Sequence, residues 1–217
     1  MKTLNKILSI LILIIMVTSC STVRVVSNWN HSKELNLNDK RIMVISKTDD
    51  NIVRSQFESD LVNKLREHGL NSMESLTVFP KIDTEVKLNE NEVQKIVEDL
   101  KNKGVDIIIL NTLKDTQEYT RTEITGGGYS TLYFPTYFRG PNGTFYRYYN
   151  SIHVKSEPES TITHTGKKYI LETVIYDLTK TDNEQLISVI TTEIDNPKSL
   201  GTISKDFSKQ IIKKLIK

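Results

Sequence analysis

The chain of 217 residues carries 29 basic and 27 acidic side chains and a single cysteine. Removing residues 1–19 takes away Lys2 and Lys6 and no acid, which leaves 27 charges of each sign. That balance argues against an electrostatic nucleic-acid binder and against polybasic docking on anionic lipid.

The first residues follow the three-part logic of a secretory signal. Lys2 and Lys6 supply a positive start, and Ile7 to Val17 form an apolar run broken only by Ser9. The run is too short to span a bilayer, which takes ~20 apolar residues in a helix. It ends in Val17-Thr18-Ser19-Cys20, a pattern that resembles the lipobox of lipoprotein signal peptidase. Cys20 has no partner cysteine in the chain, so acylation, as with palmitate, explains a lone thiol in an exported protein. Position 21 is Ser, not the Asp that resembles an inner-membrane retention signal, which favours the outer membrane.

The sequence therefore divides into a signal peptide at 1–19 and an acylated Cys20 with a flexible tether to residue 40. A single α/β domain follows at 41–217. Asn28, Asn30, Asn36 and Asn38 give the tether its polar character, and Trp29 is placed to pack onto the domain. Ile42 to Ile45 read as a buried strand. Val53, Phe57, Leu61 and Leu65 recur on one helical face, with Asp49 or Asp50 as a cap and Gly69 as a stop. Residues 73–79 read as a weaker strand. Asn89 and Glu92 form a capping-box pattern for a helix that ends at Gly104. Val105 to Leu110 then read as a strand covered on both faces.

An insertion spans 114–167. Beyond it, Tyr169 to Leu178 and Gln185 to Ile194 form a hairpin around a polar turn, and a last helix runs from about Ile203. The fold class is α/β (α+β): a mixed sheet of about five strands carrying three helices. The order is β-α-β-α-β, the long aromatic loop, then β-β-α.

Ten of the sixteen aromatic residues fall between Tyr119 and Tyr149. Tyr129, Tyr133, Phe134, Tyr137, Phe138, Phe145, Tyr146, Tyr148 and Tyr149 are the candidate contact residues. Three readings stay open: an excursion between two strands, a surface for a protein partner, or a hairpin entering the outer membrane. Pro135 inside Tyr129 to Phe138 speaks against the third, because a spanning strand needs ~9–11 alternating residues.

No phosphate loop or nucleophile elbow occurs, and His31, His68, His153 and His164 lack the spacing of common metal ligands. No catalytic group, metal or cofactor is assigned. His68 reads as a helix-end charge, and Asp49-Asp50 and Glu157-Glu159 as a cap and a solvated loop.

Gly126 to Tyr149, Tyr169 to Asp177, Ile187 to Glu193 and the terminal helix resemble a group of small envelope lipoproteins of unknown function. The layout is also similar to the TolB N-terminal / CsgG-like periplasmic fold. The resemblance implies a non-enzymatic envelope role and carries over no functional residue. The expected function is an outer-membrane-anchored, periplasm-facing binding or assembly component with an envelope protein partner. The alternative is a subunit of an oligomeric CsgG-like secretion channel. A homo-oligomer through the sheet edge also stays open, since nothing visibly guards that edge.

Overall fold

Ile42, Met43 and Val44 are fully buried, on a strand whose sheet is packed on both faces. The computed structural model describes residues 22–31, 35–80, 89–121, 164–181 and 184–216. In chain order these hold β1 (Val23–Asn30), β2 (Ile42–Lys47), α1 (Asn51–Glu67), β3 (Ser72–Glu74) and a short 3-10 turn (Ser75–Thr77). Then come α2 (Glu90–Asn102), β4 (Ile107–Arg121), β5 (His164–Asp177), β6 (Leu186–Asp195) and α3 (Leu200–Leu215).

The strands make one six-stranded sheet in the order β1-β6-β5-β4-β2-β3. β2 is parallel to β3 and β4, and the other pairs are antiparallel. This is the mixed α/β architecture expected, with one strand more. Period-two alternation sorts the side chains between two cores. Ile42, Val44, Ile107, Ile109 and Ile175 face α1 and α3, whose Phe57 and Phe207 rings meet edge-on at 5.2 Å. Met43, Ile108, Leu110, Val174 and Tyr176 face α2 through Val93 and Leu100.

The helix ends follow their local chemistry. Asp50 accepts from the backbone N–H groups of Ile52 and Val53, so it is the aspartate that caps α1. Asn89 and Glu92 close the capping box of α2 in both directions. Gly69 and Gly104 end their helices at φ +77° and +75°, where an L side chain would be strained.

Three expectations need correction. Residues 23–30, taken as part of a flexible tether, form β1 and pair along β6 from Val23↔Ile194 to Asn30↔Ser188. The asparagines at 28 and 30 hid the strand, because an edge strand buries only one row of side chains. The insertion is also shorter than 114–167. β4 continues to Arg121 and β5 begins at His164, paired along this length but for a bulge at Lys114. Residues 73–79 give only the three-residue β3, ended by the 3-10 turn.

The extra length of β4 and β5 makes an arm. β6 pairs with β5 only from Lys168 onward, so Glu118–Arg121 and His164–Lys167 run past the sheet. Cross-strand pairs hold them instead of apolar burial. Glu118 meets Lys167 at 2.6 Å, and Tyr119 lies opposite Gly166.

Candidate functional site

Most of the sequence-predicted site lies outside the described residues. This holds for Cys20 and for Tyr129, Tyr133, Phe134, Tyr137, Phe138, Phe145, Tyr146, Tyr148 and Tyr149. His153 lies outside them too. Tyr119, at the start of the aromatic stretch, is on β4. Its ring covers Gly166, its hydroxyl donates to Asp195 Oδ1 at 2.5 Å, and Lys168 Nζ lies 5.7 Å from its centroid. The aromatic stretch thus opens with a ring clamped to the end of β6. His31 stacks edge-on with Trp29 at 6.3 Å, and the His68 ring sits 2.9 Å from the Lys64 carbonyl at the end of α1. Among the described residues no three His, Cys, Asp or Glu side chains gather as a metal site.

What the structure does assemble is a groove of about 440 Å³ above β4 and β5, between the first turns of α1 and α3. Leu113, Tyr169, Leu171 and Ile194 make its floor, with Val53 and Phe57 on one wall and Leu200 and Ile203 on the other. Lys47 and Lys198 stand on its lining, and no acidic side chain does. Leu113 is 54% exposed, and Ile52 on the first turn of α1 is 75% exposed. Two large apolar side chains in water this close to a groove are the pattern of a contact surface.

A polar ladder closes the inner end of the groove. Thr173 Oγ1 donates to Asn111 Oδ1 at 2.9 Å, and the Asn111 amide donates to Ser46 Oγ at 3.3 Å. The Ser46 N–H donates to Glu58 Oε1 at 2.9 Å. Glu58 also accepts from Arg54 Nε at 3.0 Å, from Ser75 Oγ at 2.7 Å and from the Leu76 N–H at 2.9 Å. Arg54 and Glu58 are both fully buried. Ser199, at the mouth, shares its hydroxyl with Thr202 as the cap of α3. The side chains of this ladder are thus committed to one another or to backbone, and none of their hydroxyls is set beside a base. The arrangement suits holding an apolar body.

The other face of the sheet carries charge. Glu172 is buried against Lys114 at 2.9 Å, and Glu193 against Arg24 at 2.7 Å and Lys168 at 3.2 Å. Burial pulls the Lys114 ammonium below its usual range, against the pull of Glu172. Burial pushes the Tyr176 phenol well up, with the Glu172 charge adding to it. On the arm, the Lys167 hydrogen bond holds the Glu118 carboxyl below its usual range, and the same bond raises Lys167.

The groove was not read from the sequence. Val53 and Phe57 pass for ordinary core, and Leu113 sat at the edge of the insertion. The one available signal was Arg54 and Glu58, spaced four apart and in phase with Leu61, Val62 and Leu65.

No protein-family model matches the chain, and no curated protein matches it. Among solved structures it is similar to two PelC dodecamers from Paraburkholderia phytofirmans. One, a Leu-to-Met variant, aligns with a TM-score of 0.43 at 12% identity, over 89% of this chain and 97% of that one. The other aligns with a TM-score of 0.44 at 11% identity, over 89% of this chain and 96% of that one.

Proposed function

We propose that this chain is an acyl-anchored lipoprotein of the bacterial outer membrane, facing the periplasm. Its domain acts there as a non-enzymatic binding or assembly component. One observation carries the reading: β1 begins at Val23, three residues after Cys20, at the end of the sheet from which the arm projects. Three residues reach at most about 10 Å. An acyl chain on Cys20 would therefore hold this end of the sheet close to the lipid, with no stand-off.

The arm points the same way. Tyr169 is level with Ile194 and Thr116, and five more residues of β4 lead to Arg121, about 17 Å further on. The groove also lies toward this end, through Leu113, Tyr169 and Ile194. The start of β1, the arm and the apolar surface lie toward one end of the domain, which supports a component that gathers partners at a membrane surface.

The test is metabolic labelling with radioactive palmitate, followed by membrane fractionation. Wild type should carry label and band with the outer membrane, and Cys20→Ser should lose both. An unlabelled wild type would remove the reading. The alternative, a subunit of an oligomeric CsgG-like secretion channel, draws on the arm, because paired strands running past a sheet suit a rim shared among copies. Light scattering of the mature chain decides it. A ring-sized mass in detergent supports the channel, and a monomer or dimer with and without detergent removes it.

A further inference from the structure

We infer that the corner after β6, Asp195 and Asn196, is a latch that couples the arm to one wall of the groove. Asn196 has φ +45°, a left-handed conformation uncommon outside glycine and tolerated best by asparagine and aspartate. Pro197 follows it, and the residue before a proline prefers extended backbone. The corner therefore stands against its own preference on two counts. Backbone of this kind persists only where its surroundings hold it, and such residues cluster at switch regions.

The described residues tie the corner at three points, two of them on the arm. The Asn196 N–H donates to the Lys167 carbonyl at 2.8 Å, and the Tyr119 hydroxyl donates to Asp195 Oδ1 at 2.5 Å. From the other side the Asp195 N–H donates to the Thr22 carbonyl at 3.2 Å, just ahead of β1. Asp195 and Asn196 are exposed, so these bonds hold the corner in place of buried packing.

The corner leads straight into α3. Ser199 caps that helix: its hydroxyl takes the Thr202 N–H at 3.4 Å, and its carbonyl takes that of Ile203 at 3.1 Å. Pro197, Ser199, Leu200 and Ile203 line the groove, so this first turn is part of its wall. Beyond that turn α3 is pinned to α1, where Ser204 donates to Asp60 and Phe207 meets Phe57 at 5.2 Å. Release of the arm lets Asn196 relax toward extended backbone and loosens that one turn. By reciprocity, a contact that steadies the turn also steadies the arm. A partner that draws the arm away thus reshapes the groove wall. This coupling needs neither acylation of Cys20 nor a particular occupant of the groove.

The experiment is amide hydrogen exchange, read residue by residue on the full chain carrying Cys20→Ser. Tyr119→Phe keeps the ring over Gly166 and removes only the hydroxyl. Exchange at Thr202 and Ile203 should then speed up roughly two- to tenfold, as the loss of one hydrogen bond allows. In an Asn196→Gly background the corner keeps its shape without strain, so the same change should have little effect there.

Acceleration confined to the arm, at 118–121 and 164–167, would overturn the inference, as would none at all. So would an equal acceleration in the Asn196→Gly background, since strain at the corner would then play no part. Acceleration that reaches 107–110, deep in the sheet, would report lost global stability, and that too overturns it.

Discussion

Arg54 and Glu58 lie one turn apart on α1, both withdrawn from solvent, with Arg54 Nε 3.0 Å from Glu58 Oε1. The carboxylate reaches in three directions at once. It takes the N–H of Ser46 at the end of β2, the hydroxyl of Ser75 and the N–H of Leu76 in the turn after β3. One side chain therefore ties a helix to β2 and to the turn that follows β3.

Removing one partner leaves the other as an uncompensated buried charge, which costs about 3–5 kcal/mol. Arg54→Leu should lower unfolding stability by that order in urea titration. Glu58→Leu should cost at least as much, because it also strands the Ser46 and Leu76 N–H groups. A loss below about 1 kcal/mol for both would mean that water enters the site and screens the pair.

The pair also marks the limit of what the sequence makes legible. Apolar periodicity located β2, α1, α2, the apolar start of β4 and the hairpin of β5 and β6, because those elements bury a continuous face. It failed where polar contacts replace burial. β4 beyond Leu110 is held by pairs such as Glu118–Lys167, and β1 presents asparagines on an edge. The groove was invisible for a different reason. Leu113, Tyr169 and Ile194 come from three strands, and only the register brings them together.

Gly166 is the weak point of the arm. A Cβ placed there would meet the Tyr119 ring at 2.5 Å, so the ring can approach this closely only because residue 166 has no side chain. Gly166→Val should push Tyr119 away from Asp195 and Lys168 and free the arm from β6. The core is not touched, so the thermal midpoint should move little while proteolysis within 117–121 speeds up. Unchanged cleavage there would show that the clamp does not hold the arm.

Tyr176 sets the behaviour of the protein in alkali. Its phenol is fully buried and titrates well above the usual value, through burial first and Glu172 second. In the unfolded chain the phenol ionises near pH about 10. Above that pH the unfolded state has lost a proton that the folded state keeps, so stability falls as pH rises. Lys114 acts in the opposite sense. Its folded value is lowered from 10.5, so the folded state sheds the proton first and stability rises across the interval below 10.5. Tyr176→Phe should therefore flatten the fall in thermal midpoint above pH about 10 and leave the slope at neutral pH unchanged. An identical fall in the variant would place the alkaline transition elsewhere.

β1 changes what the N-terminal segment does. A flexible tether would exchange its amide hydrogens freely, whereas an edge strand paired to β6 protects those that point inward. Val23 is buried, Arg24 reaches Glu193 at 2.7 Å, Ser27 Oγ donates to Thr191 Oγ1 at 3.0 Å, and Trp29 packs against the α2-side core. Hydrogen exchange should find the inward amides of 23–30 protected nearly as well as those of β6. Truncation to residue 31 should expose Glu193, which is 1% accessible, and destabilise the sheet. Arg24→Ala tests the same contact mildly. It removes one of two cations from a buried carboxylate while Lys168 remains at 3.2 Å, so a loss of about 1–2 kcal/mol is expected. Rapid exchange throughout 23–30 would show that this segment is a flexible tether and not a strand of the sheet.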